Sequence, residues 1–179
     1  MRSVLPFVRA VAVGLVFSFA LATSALAMDR PDSWITMKTK LALMTTEGID
    51  TWDLNVDTVS GGVTLHGKVA SEAAKEKADT VAKGIEGVTS VKNLLQVVPK
   101  PDRKVVDQQD DAVKDSVQKA FDTDPVLKSS GIKVASVNKG VVLLSGDTKS
   151  LEANLRAVEV ARAIPGVRRV ASEVTVSGN

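Results

Sequence analysis

A histidine beside a nucleophile and an acid can drive hydrolysis, and several histidines together can hold a metal. The chain offers one, His66, within GGVTLHGKV (61–69), set between Gly61 and Gly67. It contains no cysteine, so there is no thiol chemistry and no disulfide. FDTDPV (121–126) spaces Asp122 and Asp124 two apart, but lacks the glycine and closing glutamate of a calcium loop. It reads as a turn capped by an aspartate. No set of residues has the spacing of a catalytic or metal centre, and no cofactor or small-molecule substrate is expected.

The chain start carries a different signal. Arg2 and Arg9 precede and adjoin an apolar run, Ala10 to Ala22, and Ala25-Leu26-Ala27 has the small-x-small form of a cleavage site. The run is shorter than the roughly 20 residues that span a bilayer. No cysteine follows it for lipid attachment. Residues 1–27 therefore read as a cleavable signal peptide, and the mature protein as periplasmic and not a lipoprotein. The whole chain holds 23 basic and 21 acidic residues. Without the leader's two arginines the balance is even, which removes the case for nucleic acid as a partner. Trp34, Trp52 and Phe121 are the aromatic residues left, too scattered for a base-stacking surface.

The elements around His66 occur twice. With an offset of 79, residues 61–97 lie over 140–176, and 14 of the 37 positions are identical. Upstream the offset is 78, placing DSWITMKTKLAL (32–43) over DDAVKDSVQKAF (110–121) and LNVDTV over IKVASV. An extra residue near Asn138-Lys139 absorbs the difference, expected in a hairpin turn. The period is too long for a solenoid. It predicts two copies of one small domain, 32–98 and 107–177, joined by a proline-bearing charged linker, 99–106.

Each copy reads as α-β-β-α-β. Asp32 or Asp110 is placed to cap the first helix, and Ser71 or Ser150 the second. Ala74, Ala78, Val81, Ala82 and Ile85 form one helical face. In the second strand Val63, Leu65 and Val69 face one way and Thr64, His66 and Lys68 the other. The expected fold class is α+β: two tandem modules, each a three-stranded sheet covered on one face by two helices. His66 aligns with Ser145 and points to the open side of the sheet, so it reads as an outward strand residue, not a catalytic one. Trp34 reads as core and Trp52 as a cover over the end of the first strand. Thr39 stands where the second copy has Val117, which predicts poorer packing of the first helix.

The G-x-V-x-L-x-G strand, the alanine-rich helix and the GV turn before the last strand make both copies resemble the BON domain, over nearly all of 32–98 and 107–177. An export signal followed by two such units resembles the osmotically inducible, two-module periplasmic type in particular. The resemblance implies a non-enzymatic role in envelope or osmotic stress, with contact to phospholipid surfaces and, in some members, chaperone-like help to exported proteins.

Two differences between the copies bear on that role. Residues 126–179 hold eight basic residues against four acids, whereas 28–98 hold eight against ten. Arg156, Arg162, Arg168 and Arg169 are the candidate contacts to anionic lipid, with a merely solvated surface as the other reading. On the open sheet face, Asn55, Asp57, Thr64 and His66 in the first copy stand against Lys133, Ala135, Val141, Leu143 and Ser145 in the second. Val141 and Leu143 form a candidate apolar contact face, for exported client proteins or for burial against the other copy or the linker. The sequence thus predicts a periplasmic protein whose partners are anionic phospholipid surfaces or, alternatively, unfolded exported chains.

Overall fold

The structure, a computed structural model, describes residues 30–177; the signal peptide expected over 1–27 lies outside them. The first module runs α1 (Asp32–Thr45), β1 (Leu54–Val59), β2 (Gly62–Val69), α2 (Glu72–Lys83), β3 (Ser90–Asn93) and β4 (Gln96–Val97). After a 3₁₀ turn at Lys100–Asp102, the second runs α3 (Arg103–Thr123), β5 (Lys133–Asn138), β6 (Val141–Thr148), α4 (Leu151–Arg162) and β7 (Arg169–Val176). Each sheet pairs its first two strands antiparallel and its last strand parallel to the second, so the second strand lies in the middle.

Local chemistry explains these elements. The hydroxyl of Ser71 accepts from the Ala74 amide at 3.2 Å, and that of Ser150 from Ala153 at 3.1 Å, capping α2 and α4. Ala74, Ala78 and Ala82, like Ala153, Ala157 and Ala161, are buried, and such small side chains let each helix lie close on its sheet. Two separate cores result, one around Leu65, Leu43 and Ile35 and one around Leu144, Val117 and Phe121.

Several expectations are corrected. Asp32 does not cap α1. Its two carboxylate oxygens accept from the amides of Ser60 and Gly61, both at 2.8 Å, and clasp the β1–β2 turn. Asp110 holds Lys139 and Gly140 in the same way, from well inside α3, which starts seven residues earlier. Both turns have two residues of positive φ, so the additional residue is not in the turn. The register shifts between Val134 and Ser136, making a bulge at Ala135. The third strand of the first module is split: the Asn93 side chain donates to the Lys75 carbonyl and accepts from the Leu95 amide, which turns the chain between β3 and β4. Most of 99–106 is helical, because Arg103 of α3 is tied to Asp53 at 2.6 Å and Lys100 to Asp50 at 3.2 Å. Trp34 packs partly buried against the first core, but Trp52 covers nothing and is almost fully exposed.

Gly67 and its counterpart Gly146 are required by close approach. Each has positive φ, and a Cβ there would stand 1.8 Å from the Asp53 carbonyl oxygen or 2.2 Å from that of Gly131. The backbone crosses the preceding loop at these points, with Lys68 N–H donating to Asp53 at 2.8 Å.

Candidate functional surfaces

The helix-free faces of the two sheets are turned toward each other. Leu94 of the first module packs with Ala135, Leu143 and Ala171 of the second, a small apolar cluster apart from both cores. His66 sits beside it and is 6% exposed. The outward strand residue expected from the sequence is therefore an inter-module residue, because the face it occupies is covered. Its Nε2 lies 2.9 Å from Asp57 Oδ2, to which it donates, and its Nδ1 is hydrogen-bonded to the Ser136 hydroxyl at 3.0 Å. The hydrogen bond from His66 holds the Asp57 carboxyl below its usual 3.8 against the opposing effect of burial.

A serine, a histidine and an aspartate are thus in line, which a search along one copy could not find. The arrangement lacks what hydrolysis requires. Ser136 Oγ also accepts from Asn138 at 3.2 Å and does not line the neighbouring cleft, so the hydroxyl is not presented to a substrate. Among the described residues no group of side chains has the makings of a metal site.

Lys68, next on the same face, is also buried. Its ammonium reaches Asp107 at 2.6 Å and Asp110 at 3.5 Å in the second module. Burial works against its charge, but the hydrogen bond and charge of Asp107, with Asp110, outweigh it and hold the group above its ordinary 10.5. On the other side of His66 the faces diverge into an open cleft of about 810 Å³, walled by Asp32, Lys40, Asp57, Lys133, Asp147 and Glu173 among others.

The predicted contact residues fare unequally. Val141 and Leu143 are both buried, and Leu143, 1% exposed, packs with Leu94 of the first module. Arg156 is engaged by Asp124 and Glu159, each at 2.9 Å. Arg162, Arg168 and Arg169 are exposed and make no ion pair among the described residues.

The sequence reading missed a surface on α1. Met37, Leu41 and Met44, at i, i+4 and i+7, are 57%, 54% and 67% exposed and form a stripe opposite the buried Ile35, Thr39 and Leu43. Lys40 and Lys38 flank it, one on each side, and Lys38 lies 5.5 Å from the centre of the Trp34 ring. The repeat carried the signal: the equivalent positions of α3 are Asp115, Lys119 and Asp122. A helix that is apolar on both faces in one copy and polar on its outer face in the other has a reason beyond folding. No helix among the described residues is long and apolar enough to cross a membrane.

The family model for the BON domain matches residues 31–99 and 109–178. Over 144 residues, 80% of this chain and 71% of the relative, the sequence is 39% identical to Osmotically-inducible protein Y of Escherichia coli (strain K12). Over 117 residues, 65% of this chain and 59% of the relative, it is 35% identical to Outer membrane lipoprotein DolP of Haemophilus influenzae. Among solved structures it is similar to CdsD, a structural protein of the Type III secretion system of Chlamydia trachomatis, at 17% identity and a TM-score of 0.30 over 78% of this chain and 59% of that one. That last likeness is too loose to carry an argument.

Proposed function

Because the chain belongs to the BON-domain family and carries the domain twice, we propose that it is a non-enzymatic periplasmic protein of the bacterial envelope that docks on anionic phospholipid surfaces. One observation carries this reading: the exposed Met37, Leu41 and Met44 stripe between Lys38 and Lys40. In this reading the stripe enters the headgroup region while the opposite face of α1 stays on its own core, and the lysines meet lipid phosphates. Each such cation adds on the order of 1 kcal/mol near an anionic surface. Two or three give weak and reversible association. Arg162, Arg168 and Arg169 supply further attraction from the second module, whereas Arg156, already neutralised by two carboxylates, contributes little. The osmotic and outer-membrane associations in the names of the two relatives favour a role in envelope stress.

Vesicles of phosphatidylethanolamine and phosphatidylglycerol test the mechanism by co-sedimentation. The double variant Met37→Glu, Leu41→Glu changes only exposed side chains, so the fold survives and binding is lost. Arg162→Glu with Arg168→Glu weakens binding at low salt only. Loss in the arginine variant alone, with the α1 variant unaffected, returns the contact to the second module.

A further inference from the structure

The repeat relates not only the two folds but the two halves of the contact between them. Lys68 meets Asp110; the equivalent positions with the modules exchanged are Asp147 and Asp32. His66 meets Ser136; the exchanged positions are Ser145 and Asp57. Leu94 belongs to the apolar cluster with Leu143 and has Glu173 as its counterpart; Ala135 is the bulge residue and has none. Lys68, Asp110, Leu94 and Leu143 lie in the closed part of the interface, and His66 stands where it meets the cleft. The five exchanged residues, Asp147, Asp32, Ser145, Asp57 and Glu173, line the open cleft.

We infer that the two modules form a jaw, clamped at the Lys68 end and held apart at the other by like charge. Where the closed half sets a cation against an aspartate and a histidine against a serine, the open half sets aspartate against aspartate and serine against aspartate, with Glu173 in the place of Leu94. Asp32 and Asp57 are already engaged, by the turn amides and by His66. Asp147 and Glu173 make no ion pair among the described residues. Bringing the walls together sets these like charges against one another away from water, which is unfavourable. Lys40 and Lys133 also line the cleft and offset part of this charge, leaving four carboxylates to two lysines. The closed half is fixed by a buried lysine, a buried histidine and a small apolar cluster, so movement pivots there. The jaw governs access to the part of the second sheet that bears Lys133, Ser145 and Thr175.

The chain has no cysteine, so Asn55→Cys and Thr175→Cys, on opposite walls of the cleft, take spin labels cleanly in the full-length protein. Electron–electron double resonance then reads the wall-to-wall distance. Asp147→Lys with Glu173→Leu gives the open half the lysine and the leucine of the closed half, and shifts the distribution to shorter, narrower values than the parent. Raising salt from about 0.05 M to about 1 M, where the screening length falls to roughly 3 Å, shortens the parent distance and leaves that variant unchanged. Lys68→Met, if it folds, lengthens and broadens the distribution. A distance that is the same in the parent and the Asp147→Lys, Glu173→Leu variant at low salt overturns the proposal, as does a parent distance that lengthens with salt.

Discussion

Thr39 shows how much one hydroxyl can matter. It is fully buried in α1, and its Oγ1 has no hydrogen-bond partner. An orphaned polar atom of this kind costs about 1–3 kcal/mol, and Val117 fills the same place in the other copy. Thr39→Val is expected to raise the unfolding free energy by about 1 kcal/mol, measured by chemical denaturation. His66→Ser goes the other way. Taken from the sequence alone it is silent, since the other copy carries Ser145; in the structure it removes a buried side chain bonded to both modules. A loss of about 1–2 kcal/mol is expected. Its pH dependence has a definite sign. The folded carboxyl of Asp57 is held below 3.8, so its contribution is present above that pH and lost as pH falls through the lowered folded value. The difference in stability between parent and His66→Ser should therefore narrow in strong acid, where Asp57 is protonated in both, and keep the part due to packing and the Ser136 contact. The sequence located His66 on the correct side of its strand. It gave no sign that a second sheet covers that side, because alternation reports which residues leave their own core and not what they meet next.

At the scale of elements the repeat was the more informative guide. Two copies with one pattern of apolar positions made α-β-β-α-β legible without any one segment being decisive. What escaped was chemistry between elements. Asp32 and Asp110 look like helix caps because aspartate before an apolar period usually is one; only the structure shows their carboxylates spanning to a hairpin 28 to 30 residues on. Gly67 and Gly146 look like turn residues and are instead points where two backbones nearly touch. Gly67→Ala is expected to cost about 2–3 kcal/mol, from the positive φ and the collision with the Asp53 carbonyl together. A thermal melt of the variant measures it. The stripe on α1 was also within reach of the sequence, since Asp115, Lys119 and Asp122 of the repeat mark what an ordinary outer face carries.

For the whole molecule, the two separate cores predict that residues 103–177 fold alone, with a cooperative melt by circular dichroism. The fragment would also uncover Leu143 and Ala171, and binding of a hydrophobic dye that the intact protein does not bind would register it. Between Val97 and Arg103 the chain makes little more than one 3₁₀ turn. That short connection alters what the interface must achieve. Stable contacts between free chains bury roughly 1,200–2,000 Å², and here the apolar centre is four residues, two of them alanine. Tethered this closely, each face experiences the other at an effective concentration in the millimolar range, and the same contact suffices. Separately produced halves, 30–99 and 103–177, should then fail to associate when mixed at micromolar concentration, although each is folded. Evolution could in consequence vary the two faces one residue at a time, since covalent proximity, and not affinity, keeps them paired.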